Sequence, residues 1–203
     1  MGPSALLKSD IEKLRVVFLT PEISSIHPPD ELDDRSRLLI NSYVILAHAH
    51  IEEFIEDQFL SFARAITPNA GDPSIRACFT HLFISFSKKL QGDYAKKSHH
   101  DLCMAAIGHY KKLISANNGI KKKNILTLTN PLGFTEDEVT DSCNELIIHL
   151  EALGSKRGDL AHRSSVPKSA TLELYPRQAQ ELVGNVSEKI HLLTSLLGSK
   201  VAN

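Results

Sequence analysis

The residue types best suited to phosphoryl chemistry lie in one ten-residue stretch, Gly154-Ser155-Lys156-Arg157-Gly158-Asp159-Leu160-Ala161-His162-Arg163. Arg157 and His162 are separated by four residues. Imidazole titrates near neutrality, so His162 can take the proton from a ribose 2′-OH or hand one to a leaving oxygen. The planar guanidinium of Arg157 can hold a phosphate through paired oxygens and stabilise the extra charge of a pentacovalent transition state. Asp159 can orient the histidine, while Lys156 and Arg163 are candidate RNA contacts. Such a set can cleave RNA without a metal. A plainer reading stands beside it, in which Lys156, Arg157 and Arg163 are cations near a helix C-terminus.

The spacing alone has little specificity, since the chain carries eight arginines and ten histidines. A second Arg-x4-His exists, Arg76 to His81, within an amphipathic stretch where both residues read as helix surface. The first pair differs in its surroundings. If the helix that starts near Thr135 continues in phase, Arg157 falls on the same stripe as Leu146, Leu150 and Leu153, where an arginine is costly unless a partner or phosphate meets it. Gly154 and Gly158 are the places where that helix could instead end.

Three further candidates sit on an earlier helix. His48 and Glu52 are i, i+4 neighbours at the edge of its apolar stripe, and His50 lies on the other flank, near Tyr43 and Phe54. Each is a candidate supporting residue for the site, or a polar residue bordering a core. As metal ligands they fit poorly, because helical residues two apart point in nearly opposite directions. No zincin or zinc-finger spacing is present, so neither metal nor cofactor is expected.

The elements that must position these residues are helical nearly throughout. Leu7, Ile11, Leu14 and Phe18 form one buried stripe that Pro21 ends. A long helix is expected from Asp30 to about Ile66, with Ile40, Val44, Ala47, Ile51, Ile55 and Phe62 inward. Ile75 to Leu90 defines a third. Ser98 with Asp101 reads as the N-cap of a fourth, ended by Asn117-Asn118-Gly119, and a short piece covers Lys121 to Leu128. Thr135 and Glu138 form a capping box for the helix through Leu153. Residues 166–175 read as an extended connection, and a last helix starts near Pro176. The expected fold class is all-α, a single bundle of six or seven helices over residues 1–203.

Composition narrows the function classes. Hydrophobic residues make up 42% of the 203, enough for a real core without staples. Cys78, Cys103 and Cys143 are odd in number and far apart, which suits a reducing compartment. No signal-like or membrane-spanning apolar run occurs, so a soluble cytoplasmic protein is expected. Net charge is −1, but it is unevenly spread. Residues 1–60 carry five Lys/Arg against eleven Asp/Glu, or −6; residues 85–125 carry nine Lys against two Asp, or +7. Lys121, Lys122 and Lys123 lie in that basic segment, which a phosphate-bearing partner would need. Ordinary solvated helix faces have the same composition.

Taken together, these stretches resemble the HEPN superfamily, whose signature is Arg-x4–6-His in the C-terminal part of an all-α domain. The chain is similar to the branch called RiboL-PSP-HEPN. Ala49-His50-Ile51-Glu52-Glu53-Phe54-Ile55-Glu56 carries part of the likeness. So do Gly119-Ile120-Lys121-Lys122-Lys123-Asn124-Ile125 running to Pro131-Leu132-Gly133, and Lys156 to His162. The resemblance implies a helical bundle that dimerises and brings two Arg/His pairs into one cleft. It also implies a metal-independent endoribonuclease, often a toxin or an anti-phage effector, for which a cognate antitoxin or another protein is a candidate partner. One departure is plain: many members have Asn, Asp or His directly after the arginine, and here Gly158 intervenes before Asp159. The rival readings are a non-catalytic helical module that binds RNA, a nucleotide or a protein through the Lys-rich segment, and an antitoxin-like scaffold whose cleft is only a dimer seam.

Overall fold

A computed structural model describes residues 2–66, 73–90, 98–162 and 173–202. In chain order the helices are α1 (Pro3–Phe18), α2 (Pro21–Ser24), α3 (Asp34–Ile66), α4 (Pro73–Ser85), α5 (Ser87–Leu90), α6 (His99–Ser115), α7 (Lys122–Thr129), α8 (Glu136–His162), α9 (Pro176–Lys189) and α10 (His191–Ala202). A 3₁₀ turn covers Asn130–Leu132, and the described residues contain no strand. The all-α class is therefore as expected, but the segments outnumber six or seven. Phe86 separates α4 from α5 and Ile190 separates α9 from α10, and both residues are buried. Apolar spacing continues across both breaks, which is why each pair reads as one helix in the sequence.

Helix ends follow local chemistry. The Ser98 hydroxyl accepts from the Asp101 amide while Asp101 accepts from the Ser98 amide, closing a capping box on α6. At α8 the Thr135 amide donates to Glu138 Oε2 at 2.8 Å, and the Glu138 amide donates to Thr135 Oγ1 at 3.2 Å. Each box satisfies two orphan N–H groups at a helix start.

The chain divides into two compact units, and the long helices α3 and α8 each contribute to both. The first comprises residues 1–54 and 145–191. Here α1 and α2 pack on α9, and Leu7, Ile11, Ile40, Val44, Ile51, Leu146, Leu150, Leu153, Val183 and Val186 are buried. The chain entering α9 is tied back to the start of α3. The Tyr175 hydroxyl donates to the Asp30 carbonyl at 2.9 Å, and Arg37 Nε donates to Glu173 at 3.0 Å.

The second unit comprises residues 55–144 and 192–203. Ile55, Phe59, Leu82, Tyr110, Leu128 and Leu132 are buried in it. The fully buried Tyr110 hydroxyl, costly if left unpaired, donates to the Leu128 carbonyl at 2.7 Å. Lys200 bonds Glu138 at 2.5 Å and sits 5.1 Å from the Phe134 ring centroid. Among the described residues two glycines have positive φ. Gly119 (φ 129°) leads into α7, and Gly133 (φ 80°) closes the 3₁₀ turn. A Cβ on Gly133 would lie 2.7 Å from His81 Cδ2, so this position resists a side chain on both conformational and steric grounds.

Gly133→Ala is expected to cost about 1–3 kcal/mol in urea unfolding, from left-handed backbone strain and the His81 collision. In a double-mutant cycle with His81→Ala, the steric part should be recovered and the backbone part retained. Full additivity of the two substitutions would show that the ring does not crowd the glycine.

Candidate functional site

Gly154 and Gly158 do not end α8; it runs unbroken to His162. A glycine costs about 1 kcal/mol against alanine in a helix interior, and here the buried stripe on either side of Gly154 offsets it. Leu146, Leu150 and Leu153 are at most 1% exposed. Arg157 is the next position on that stripe, as expected, but it is exposed. The core stops one turn before it, so the guanidinium meets water and no buried counter-charge is required. The stripe thus sets the direction of Arg157, and the end of the packing sets its exposure.

His48 lies on α3 in the same unit and is 3% exposed. Burial pushes its imidazole down from the ordinary 6.5 to about 4, and the positive charge of Arg157 adds to the shift. His48 is therefore neutral at pH 7. Its Nδ1 stands 3.7 Å from Glu52 Oε2, beyond hydrogen-bond length, so the contact is a neutral ring facing a half-buried carboxylate rather than an ion pair. Arg157, His48 and Glu52 are the sequence-derived candidates that this geometry relates to one another.

His50 does not join them. Two residues on from His48, it lies on the α1 side of α3, close enough to Asp10 to help lower that carboxylate, whose main influence is the Lys13 hydrogen bond. Asp159 is exposed on α8 and Lys156 is half-buried. His162 is the last residue of α8; its side chain, like the whole of Arg163, lies outside the described residues, as do 166–172 of the expected connection. Positions 157 and 162 are five apart on a continuous helix, hence about 140° around the axis and about 7.5 Å along it.

The lysine triplet belongs to the second unit and is not uniform. Lys121 is the N-cap residue of α7, Lys122 pairs with Glu136 at 2.7 Å, and Lys123 is exposed. Their placement depends on residues that sequence reasoning treated only as a helix stop. Asn117 Nδ2 donates to Glu56 Oε1 at 3.0 Å and to the Gly119 carbonyl at 2.9 Å, and Asn124 donates to Asn117 at 3.0 Å. The asparagine side chains thus fasten the α6–α7 link to α3, and the signal was the Asn117-Asn118-Gly119 run itself. In the second Arg-x4-His pair, Arg76 and His81 are both exposed on α4. Among the described residues no three His, Cys, Asp or Glu side chains converge as a metal set. Among them too, no helix is long and apolar enough to cross a membrane.

The buried neutral histidine has a pH signature. Its folded-state pKa lies below its unfolded value, so between about 6.5 and 4 the unfolded chain binds the extra proton. Stability should fall on acidification through that window and level off below it, and His48→Leu should remove this component of the slope. NMR titration of Arg157→Ala should show the His48 imidazole titrating higher than in the wild type. An identical titration in both proteins would refute the coupling between the two residues.

The sequence matches the RiboL-PSP-HEPN family over residues 15–190. No curated protein and no solved structure gives a match. The matched range contains Arg157, His162 and the α3 candidates together with the lysine triplet. With the all-α architecture and an exposed arginine at the end of the core stripe, this match places the chain in the RiboL-PSP-HEPN family, as a HEPN-type helical protein.

Proposed function

We propose that this HEPN-type protein is a metal-independent endoribonuclease that acts as a homodimer. The observation that carries the reading is Arg157: α8 delivers it along a core-facing stripe and presents it to solvent one turn beyond the last buried leucine, on the same helix that ends in His162. In this role the guanidinium binds the scissile phosphate and stabilises the charge gained as the 2′-oxygen attacks phosphorus. His162 accepts the 2′-OH proton or protonates the departing 5′-oxygen. The P–O5′ bond breaks, leaving a 2′,3′-cyclic phosphate and a 5′-hydroxyl, with no metal or other co-reactant in the balance.

The divergence of positions 157 and 162 around α8 favours the dimer. One helix does not aim both positions at the same small group, whereas Arg157 of one copy and His162 of another can flank one phosphate. Glu52 and His48 support Arg157 from α3, Asp159 is a candidate orienter, and Lys121, Lys123, Lys156 and Arg163 are candidate RNA contacts. A toxin or defence role, with restraint by a partner protein, belongs to the same proposal. The same divergence also suits a second reading, a non-catalytic HEPN module in which Arg157 only anchors phosphate.

The deciding experiment is cleavage of total RNA by the purified full-length chain in EDTA, with Arg157→Ala and His162→Ala beside wild type. The nuclease reading expects cutting by wild type and a loss of at least about a hundredfold in each variant, with helix content and oligomeric state unchanged. RNA binding without cutting, weakened by Arg157→Ala and untouched by His162→Ala, would establish the binding module instead. Equal cutting by all three proteins would remove both residues from the mechanism.

A further inference from the structure

A cavity of about 360 Å³ opens in the second unit, lined by His81, Leu126, Thr129, Asn130, Gly133, Phe134, Thr135 and Glu136. Its volume lies in the range of small-molecule sites. The wall is built rather than incidental. His81 packs against Gly133 so closely that no other residue type fits there without displacement, and the left-handed glycine turns the chain from the 3₁₀ turn towards the start of α8.

The lining chemistry limits what can bind. Two hydroxyls are already engaged: Thr129 Oγ1 donates to the Leu126 carbonyl at 3.2 Å, and Thr135 Oγ1 is taken up by Glu138 in the helix cap. Asn130 and Glu136 remain as the polar recognition groups. Both are exposed, and Lys122 pairs with the Glu136 carboxylate at 2.7 Å at the wall. A phosphate would be repelled by Glu136 and by Asp137 and Glu138 in the same helical turn. A flat ligand that stacks on an imidazole, fills space beside Leu126 and Phe134, and offers adjacent hydrogen-bond donors to a carboxylate fits better.

We propose that this cavity is a guanine-binding pocket, with His81 as the stacking surface, Glu136 accepting from N1–H and the 2-amino group, and Asn130 donating to O6. Among the RNA bases, guanine alone presents two adjacent donors on that edge; uracil presents one N–H between two carbonyls, which a carboxylate disfavours. The proposal rests on the ribonuclease reading for its role, a base-selecting site for the RNA, but binding of the free nucleoside tests it separately.

The experiment is an NMR titration of the full-length protein with guanosine and, in parallel, uridine. Guanosine should give saturable shifts at Leu126, Asn130, Gly133 and Glu136, and uridine should bind at least about tenfold more weakly. His81→Ala should weaken guanosine about tenfold. Glu136→Gln should abolish the preference over uridine, and Asn130→Trp, at an exposed rim position, should plug the cavity. Absence of saturable shifts, equal binding of both nucleosides, or shifts unchanged in Asn130→Trp would each overturn the assignment. Guanosine binding by a protein that cuts no RNA would leave the pocket standing and remove the ribonuclease reading. RNA cutting without guanosine binding would remove the pocket alone.

Discussion

A 27-residue helix with glycines at positions 154 and 158 has two points at which it could turn, and the candidate site exists because it does not. Two interactions hold α8 straight. The Thr135–Glu138 capping box fixes where it starts, and the buried run Val139, Cys143, Leu146, Leu150 and Leu153 fixes which face it turns inward. Gly154 is itself buried, so its missing side chain serves packing. The register of every later residue follows from that start and that face. Arg157 then inherits an inward direction at a level where the packing has ended.

The electrostatics of the first unit are consistent with this arrangement. Burial leaves the His48 imidazole little incentive to ionise, and the Arg157 guanidinium at the rim of the core adds to this, so His48 is neutral. Glu52 supplies negative charge one turn along α3. The candidate site thus presents one guanidinium, one neutral ring and one carboxylate. The lysine triplet is sorted differently: Lys122 is committed to Glu136, and Lys123 is exposed.

Much of this was legible in the sequence where chemistry is local. Ser98/Asp101 and Thr135/Glu138 announce helix starts because the capping partners are three residues apart. Pro176 opens α9 for the same kind of reason, and the direction of Arg157 follows from simple periodicity. What periodicity does not carry is the extent of the neighbour. It gave Arg157 a buried stripe without saying that the core stops at Leu153. It merged α9 with α10 across Ile190 because both halves bury the same sort of residue. The four-residue α2 and α5 are too short to show a period at all. His50 was already legible as lying on the other flank of α3 from His48, and there it faces Asp10 of α1. The asparagine network around Asn117 joins Glu56 to Asn124 across 68 positions of chain, a link that no local pattern displays.

The three cysteines, at positions 78, 103 and 143, have one more consequence. All are buried, and burial raises each thiol, Cys143 to about 11. Thiolates are the reactive form, so the folded chain is expected to react slowly with maleimides and mild oxidants. A single cysteine introduced at a water-facing position such as Ile148, which is 57% exposed, would react far ahead of them. Spin or fluorescent labels can therefore be placed on α8 of the unaltered background, without first stripping the molecule of its own sulfur.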